Sequence, residues 1–166
     1  MTAAPGRAAA VASETPRPPE LVDMPGHLLR RCQQIAVGIF LQECGAADLT
    51  PLQYAVLRAL ETHGELDQNR LGGTTALDRT TVSTVVGKLE RRGLVARRRS
   101  RADRRHNAIT LTPAGAALLA RVQPAAEAAQ DRILGPLPAA DRKVFLACLK
   151  RIADGNNLES RAPLKR

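Results

Sequence analysis

The sequence predicts a mainly α-helical protein with one small β-hairpin, on three observations. Apolar residues recur at helical spacing along most of the chain, in stretches bracketed by helix start and stop residues. The hydrophobic fraction, 44% of 166 residues, comes with two Phe, one Tyr and no Trp, and its Ala, Leu and Val bias favours helices. Two short strand-like runs, Val95–Arg99 and Asn107–Leu111, flank an arginine-rich turn. This length holds one domain with a real core, or one domain plus an extension.

Residues 1–20 are rich in Ala, Pro and small polar residues. They offer little to bury and read as a disordered leader, ending near residue 22. Pro25-Gly26 then opens a helix whose apolar residues Leu28, Leu29, Cys32, Ile35, Ala36, Ile39 and Phe40 form a wide face, with a stop near Cys44-Gly45. His27, Arg30, Arg31 and Gln34 are polar members of this helix. They read either as a solvated face with snorkelling stems or as an anion-binding group.

Thr50-Pro51-Leu52-Gln53 carries each signal of a helix start: a cap, a proline for the first position and a capping-box partner. That helix holds Tyr54, read as core, and Arg58, and stops near His63-Gly64. A short segment, Gln68–Gly72, leads through Gly73-Thr74-Thr75-Ala76-Leu77 to a longer helix from Asp78 to Arg92. Short helix, glycine-containing turn and longer helix is the helix-turn-helix layout. Val82, Val85, Val86 and Leu89 make the buried stripe of the second helix, and Arg79, Thr80, Thr81, Ser83, Thr84 and Lys88 occupy its other positions. A solvated helix would be richer in Glu and Lys; short hydroxyl side chains permit close approach to phosphates and base edges.

The charge follows the same region. Nine Lys/Arg lie between Lys88 and Arg105 against Glu90 and Asp103, a net +7, whereas the whole chain nets +9. Positions 97–105 hold six arginines, among them Arg98, Arg101, Arg104 and Arg105. A structural hairpin has no need of them, but Arg forks fit phosphate oxygens and the negative potential of a narrow minor groove. Asp103 reads as a residue that orients an arginine. A second start, Thr112-Pro113, opens a long helix with Leu118, Leu119, Val122, Ala125, Ala126, Ala129 and Ile133 at helical spacing and Pro124 inside it as a kink. Gly135-Pro136-Leu137-Pro138 breaks the chain before a last helix, Ala139–Ala153, and a polar tail.

Several classes are disfavoured. The three cysteines, Cys32, Cys44 and Cys148, match no zinc spacing, and read as reduced intracellular thiols. The N-terminus is a poor secretory signal and no apolar run approaches a membrane span, so a cytoplasmic protein without a membrane partner is expected. Three His, no phosphate loop and no metal cluster argue against an enzyme and against a cofactor.

LERRGLV, the basic run, ADRR and ITLTPAG together resemble the winged helix-turn-helix of the MarR family of bacterial transcription regulators, over roughly residues 26–154. The resemblance implies a winged helix-turn-helix at 48–112. It also implies a homodimer held by helices at 23–47 and 113–154, with a flexible tail at 155–166. It places Arg79, Thr80, Thr81, Ser83, Thr84 and Lys88 at the major groove of a pseudo-palindromic double-stranded DNA operator. Arg98, Arg101, Asp103, Arg104 and Arg105 fall in the wing. The first helix resembles a branch that senses aromatic carboxylates or their coenzyme A thioesters. That implies His27, Arg30, Arg31 and Gln34 as effector ligands, with Tyr54 and Arg58 as wall residues.

Repression released by such an effector is the expected function. Two alternatives stay open. One is redox sensing through a cysteine, although Cys32 sits on the apolar stripe where a thiol is usually inert. The other is ligand-independent, architectural DNA binding.

Overall fold

The start signals act as the sequence says. In a computed structural model, which describes residues 20–99 and 107–165, Thr50 caps a helix over Pro51–His63. Its hydroxyl accepts from the Gln53 N–H at 3.3 Å, and the Gln53 side chain accepts from the Thr50 N–H at 2.9 Å. This reciprocal box satisfies two donors that a helix start leaves orphaned. Asp67, Asp78 and Thr112 cap three further helices through side-chain oxygens.

The order of elements is α1 (Pro25–Cys44), α2 (Pro51–His63), β1 (Leu66–Asp67), α3 (Gln68–Thr75), α4 (Arg79–Arg91), β2 (Val95–Arg99), β3 (Asn107–Leu111), α5 (Pro113–Leu134) and α6 (Ala139–Gly155). The strands form one antiparallel sheet ordered β1-β3-β2. Val95 stands opposite Leu111 and Arg99 opposite Asn107, while Leu66 pairs with Ile109. β1 has no sequence signal: two residues are too short for a periodic pattern, and only pairing with β3 makes them a strand. Leu66, Val95 and Ile109 turn inward onto a core with Leu57 and Leu60 of α2, Leu71 of α3, Val82, Val86 and Leu89 of α4, and Leu118, Leu119 and Val122 of α5. α5 is continuous through Pro124, whose missing N–H leaves one carbonyl of the preceding turn without its helical donor.

The helix-turn-helix turn differs from expectation. α3 runs on through Gly72 and Gly73 to Thr75, and Ala76, at φ 53°, makes the left-handed turn. The glycines serve close approach instead. A Cβ on Gly72 would stand 2.8 Å from the Leu77 carbonyl oxygen, and one on Gly73 would stand 3.0 Å from Lys165 Cβ.

α4 ends in a Schellman motif. Gly93, at φ 69°, donates to Glu90 O at 2.8 Å, and Leu94 donates to Leu89 O at 3.0 Å. The start of α5 is sewn to this end. Thr112 donates its N–H to Leu94 O (3.1 Å) and its hydroxyl to Gly93 O (2.7 Å), and its oxygen accepts from the Gly115 N–H (3.0 Å). The C-terminus of α4, the root of the hairpin and the first turn of α5 thus meet in one hydrogen-bonded knot.

Several apolar residues are exposed among the described residues. Leu28, Leu29, Ile35 and Leu41 of α1, and Val144, Leu146 and Ile152 of α6, are exposed. Cys32, expected on a buried stripe, is exposed too, because the N-terminal half of α1 projects beyond the core and only Phe40 and Cys44 of this helix are buried. The polar C-terminal tail folds back: a 3-10 turn at Asn157–Glu159 is followed by a bond from the Lys165 N–H to Gly73 O at 2.8 Å. The leader up to residue 19 lies outside the described residues. Among the described residues, no single helix is long and apolar enough to cross a membrane.

Candidate nucleic-acid interface and effector region

α4 has the two faces that its sequence requires. Val82, Val85, Val86 and Leu89 are buried, and Arg79, Thr80, Ser83, Thr84 and Lys88 are exposed. Thr81 departs from the expected groove-facing set. It is half-buried, with its N–H and hydroxyl donating to the two Asp78 carboxylate oxygens at 2.9 and 2.7 Å. These two bonds hold the Asp78 carboxyl below the ordinary carboxylate range, and the charge of Arg161 adds to them. Asp78 stays ionised at the helix start, where a negative charge also suits the dipole. Gln68 joins the two helices by donating from Nε2 to Arg79 O at 3.1 Å. In the sequence it is a generic polar residue with nothing to single it out.

The positive charge is less uniform in role than its count. Arg92 turns away and donates to the Ala47 carbonyl at 3.0 Å and to the Asp48 carbonyl, where Asp48 holds a left-handed turn at φ 49°. Arg97 pairs with Glu90 across 3.5 Å. Both lie in the basic cluster, and both tie the end of α4 to its surroundings. Arg98 is exposed on β2. Arg101, Asp103, Arg104 and Arg105 fall outside the described residues.

The expected effector residues divide into separate groups. On α1, Arg30 donates to Gln34 Oε1 at 3.1 Å and stands 3.3 Å from His27 Nδ1, with Arg31 exposed beside them. On α2, Tyr54 packs on Phe40 with ring centroids 5.5 Å apart, and burial raises its hydroxyl pKa. Arg58 is paired with Glu61, so its charge is already partly answered. No hydrogen bond or ion pair among the described residues joins the two groups. A cleft of about 500 Å³ opens instead between α1, the start of α2 and α4, lined by Gln33, Val37, Thr50, Thr80, Thr84 and Lys88 among others. Thr80, Thr84 and Lys88, exposed on one side of the recognition helix, therefore also border an open cleft, while Arg79 and Ser83 lie apart from it. The sequence could not show this, because the cleft is made by three elements distant in the chain.

Comparison with known proteins decides the family. A MarR family model matches residues 47–106. The HTH-type transcriptional repressor NicR of Pseudomonas putida is 34% identical over 139 residues, covering 84% of this chain and 88% of NicR. The chain belongs to the MarR family. It is a DNA-binding transcriptional regulator and not an enzyme. Solved MarR-family structures superpose closely. BpsR of Bordetella bronchiseptica, whose DNA binding is regulated by 6-hydroxynicotinic acid, gives a TM-score of 0.79 at 36% identity, over 83% of this chain and 99% of BpsR. The repressor CouR on a 23-mer DNA duplex gives 0.75 at 32% identity, over 81% of this chain and 95% of CouR. CouR of Rhodococcus jostii has also been solved with p-coumaroyl-CoA, with a TM-score of 0.70 at 28% identity over 80% of this chain and 94% of CouR.

Proposed function

We propose that this MarR-family regulator is a homodimeric repressor of the cytoplasm that binds a pseudo-palindromic operator and is released by a small aromatic acid or its coenzyme A thioester. The observation that carries the DNA half is α4: a capped helix whose hydroxyl-rich row, Arg79, Thr80, Ser83 and Thr84, is exposed beside an arginine-bearing hairpin. Each subunit would offer one such helix to one half-site. The dimer is supported by the uncovered apolar faces of α1 and α6, since apolar surface of this extent marks an interaction site. The wing residues Arg98, Arg101, Asp103, Arg104 and Arg105 would take the adjacent minor groove.

The effector class is supported by the ligands of BpsR and CouR. In this chain the His27–Arg30–Gln34 cluster supplies an oriented guanidinium for a carboxylate, with Arg31, Tyr54 and Arg58 as further candidates. Binding near α1 can act on DNA affinity only by preferring one spacing of the two recognition helices; the cleft between α1 and α4 leaves room for such movement. Of the three thiols, Cys44 is the poorest redox candidate: it is buried, and desolvation followed by the charge of Glu43 raises its pKa, the opposite of a reactive thiol, so the redox alternative rests on the exposed Cys32 and Cys148.

A gel shift with the DNA upstream of the protein's own gene tests both halves. The wild type is expected to shift it and to be released by an aromatic acid. The Arg30→Ala/Arg31→Ala variant is expected to bind DNA equally but to need at least about tenfold more acid, as the loss of one charge-assisted hydrogen bond implies. Unchanged release by every acid tested would refute the α1 assignment.

A further inference from the structure

We propose that the C-terminal segment, residues 156–165, is a second DNA-backbone contact, docked on α3 so that Arg161 and Lys165 extend the phosphate-binding surface beside the start of α4. The inference rests on the DNA-binding reading and adds to it an element that lies outside the helix-turn-helix and the wing.

The docking is specific. Asn157 clamps the backbone of Leu164 from both sides, accepting from its N–H at 2.8 Å and donating to its carbonyl at 3.0 Å. The next residue, Lys165, donates its N–H to Gly73 O at 2.8 Å. That carbonyl lies in the last turn of α3, where a helix has no N–H donor of its own for it. The stem of Lys165 then crosses Gly73, where a Cβ would meet Lys165 Cβ, Cγ and Cδ at 3.0–3.2 Å. The Gly72-Gly73 pair in a short helix is thereby explained: the first glycine admits the turn to α4 and the second admits the tail.

What the docking presents is positive charge. Residues 156–166 carry Arg161, Lys165 and Arg166 against Glu159, a net +2. Half-buried Pro163 and Leu164 face the body, while Arg161 and Lys165 are exposed. These two line one side of a cleft of about 300 Å³ whose other side is Gln68, Asn69, Asp78 and Arg79. Asp78 is the acid there; Thr81 donates to both its oxygens, and its charge also acts on Arg161, which keeps that guanidinium beside the start of α4. In helix-turn-helix docking, the first helix crosses the sugar-phosphate backbone while the second enters the groove. A cationic strap across α3, next to the first residue of α4, stands where backbone phosphates pass.

The test is a salt titration of operator binding by the full-length dimer. Each phosphate that a protein no longer neutralises lowers the slope of log K against log salt by about 0.9. R161Q/K165Q is expected to lower it by about 3.6, for two phosphates on each subunit of a dimer, and to weaken binding at least about tenfold near 0.1 M salt. N157A, which frees the tail but keeps its charge, is expected to weaken binding in the same direction. An unchanged slope and affinity in R161Q/K165Q, or tighter binding, would overturn the proposal. Failure of the wild type to prefer any inverted repeat would instead overturn the DNA reading beneath it.

Discussion

Gly115→Ala is expected to destabilise the protein by about 3 kcal/mol, the upper part of the range for overpacking a tight contact. A Cβ at this position would stand 2.1 Å from the Leu94 carbonyl oxygen and 2.8 Å from Leu111 Cδ1. The first is backbone, and it belongs to the residue whose carbonyl also receives the Thr112 N–H. The clash can be relieved only by lifting the first turn of α5 from the root of the hairpin. Thermal or denaturant unfolding measures the loss. Gly87→Ala is the useful contrast: it lies inside α4 with no atom within 4 Å of its would-be Cβ, and should gain up to about 1 kcal/mol from helix propensity. Because α5 links the hairpin root to the helices expected to form the dimer, Gly115→Ala should also weaken operator binding by more than its stability loss explains.

The second large effect concerns DNA alone. Arg79→Ala/Ser83→Ala should weaken operator binding by about 1–3 kcal/mol for each base or phosphate interaction removed, roughly tenfold or more, and relax sequence preference at the bases read. Both side chains are exposed and four residues apart on one face of α4. The melting temperature should therefore stay within about a degree or two of wild type, as for ordinary surface substitutions. Fluorescence anisotropy with operator and scrambled duplexes measures both effects. Equal binding by the variant would mean that this face of α4 does not carry recognition.

Much of the fold is legible in the sequence because local chemistry and tertiary packing agree. Thr50, Asp78 and Thr112 are caps in the sequence and caps in the structure, and the Val82–Leu89 stripe is the buried stripe. Misreadings arise where a residue's role is set by something distant. Gly73 looks like a turn residue because nothing near it in sequence announces Lys165, 92 positions away, as its neighbour. Arg92 and Arg97 count in the sequence only as members of the basic cluster, because only the fold brings Ala47, Asp48 and Glu90 to them. Thr81 looks groove-facing because its hydroxyl's partner, Asp78, is equally a plain cap. The cleft formed by α1, α2 and α4 is not legible at all, because it leaves no periodic trace in any of the three.

A dimer that holds two recognition helices at one spacing makes operator affinity depend on the distance between the half-sites. Inserting about 5 base pairs, half a turn, between the operator half-sites rotates one half-site to the opposite face of the duplex. Operator affinity is predicted to fall to the level of non-specific DNA, about 1000-fold or more, and to stay there when about 10 are inserted, because the second half-site then faces the right way but lies about 34 Å too far along. Affinity that is indifferent to the insertion would contradict a dimer of fixed spacing, because it would mean that each α4 reads its half-site independently.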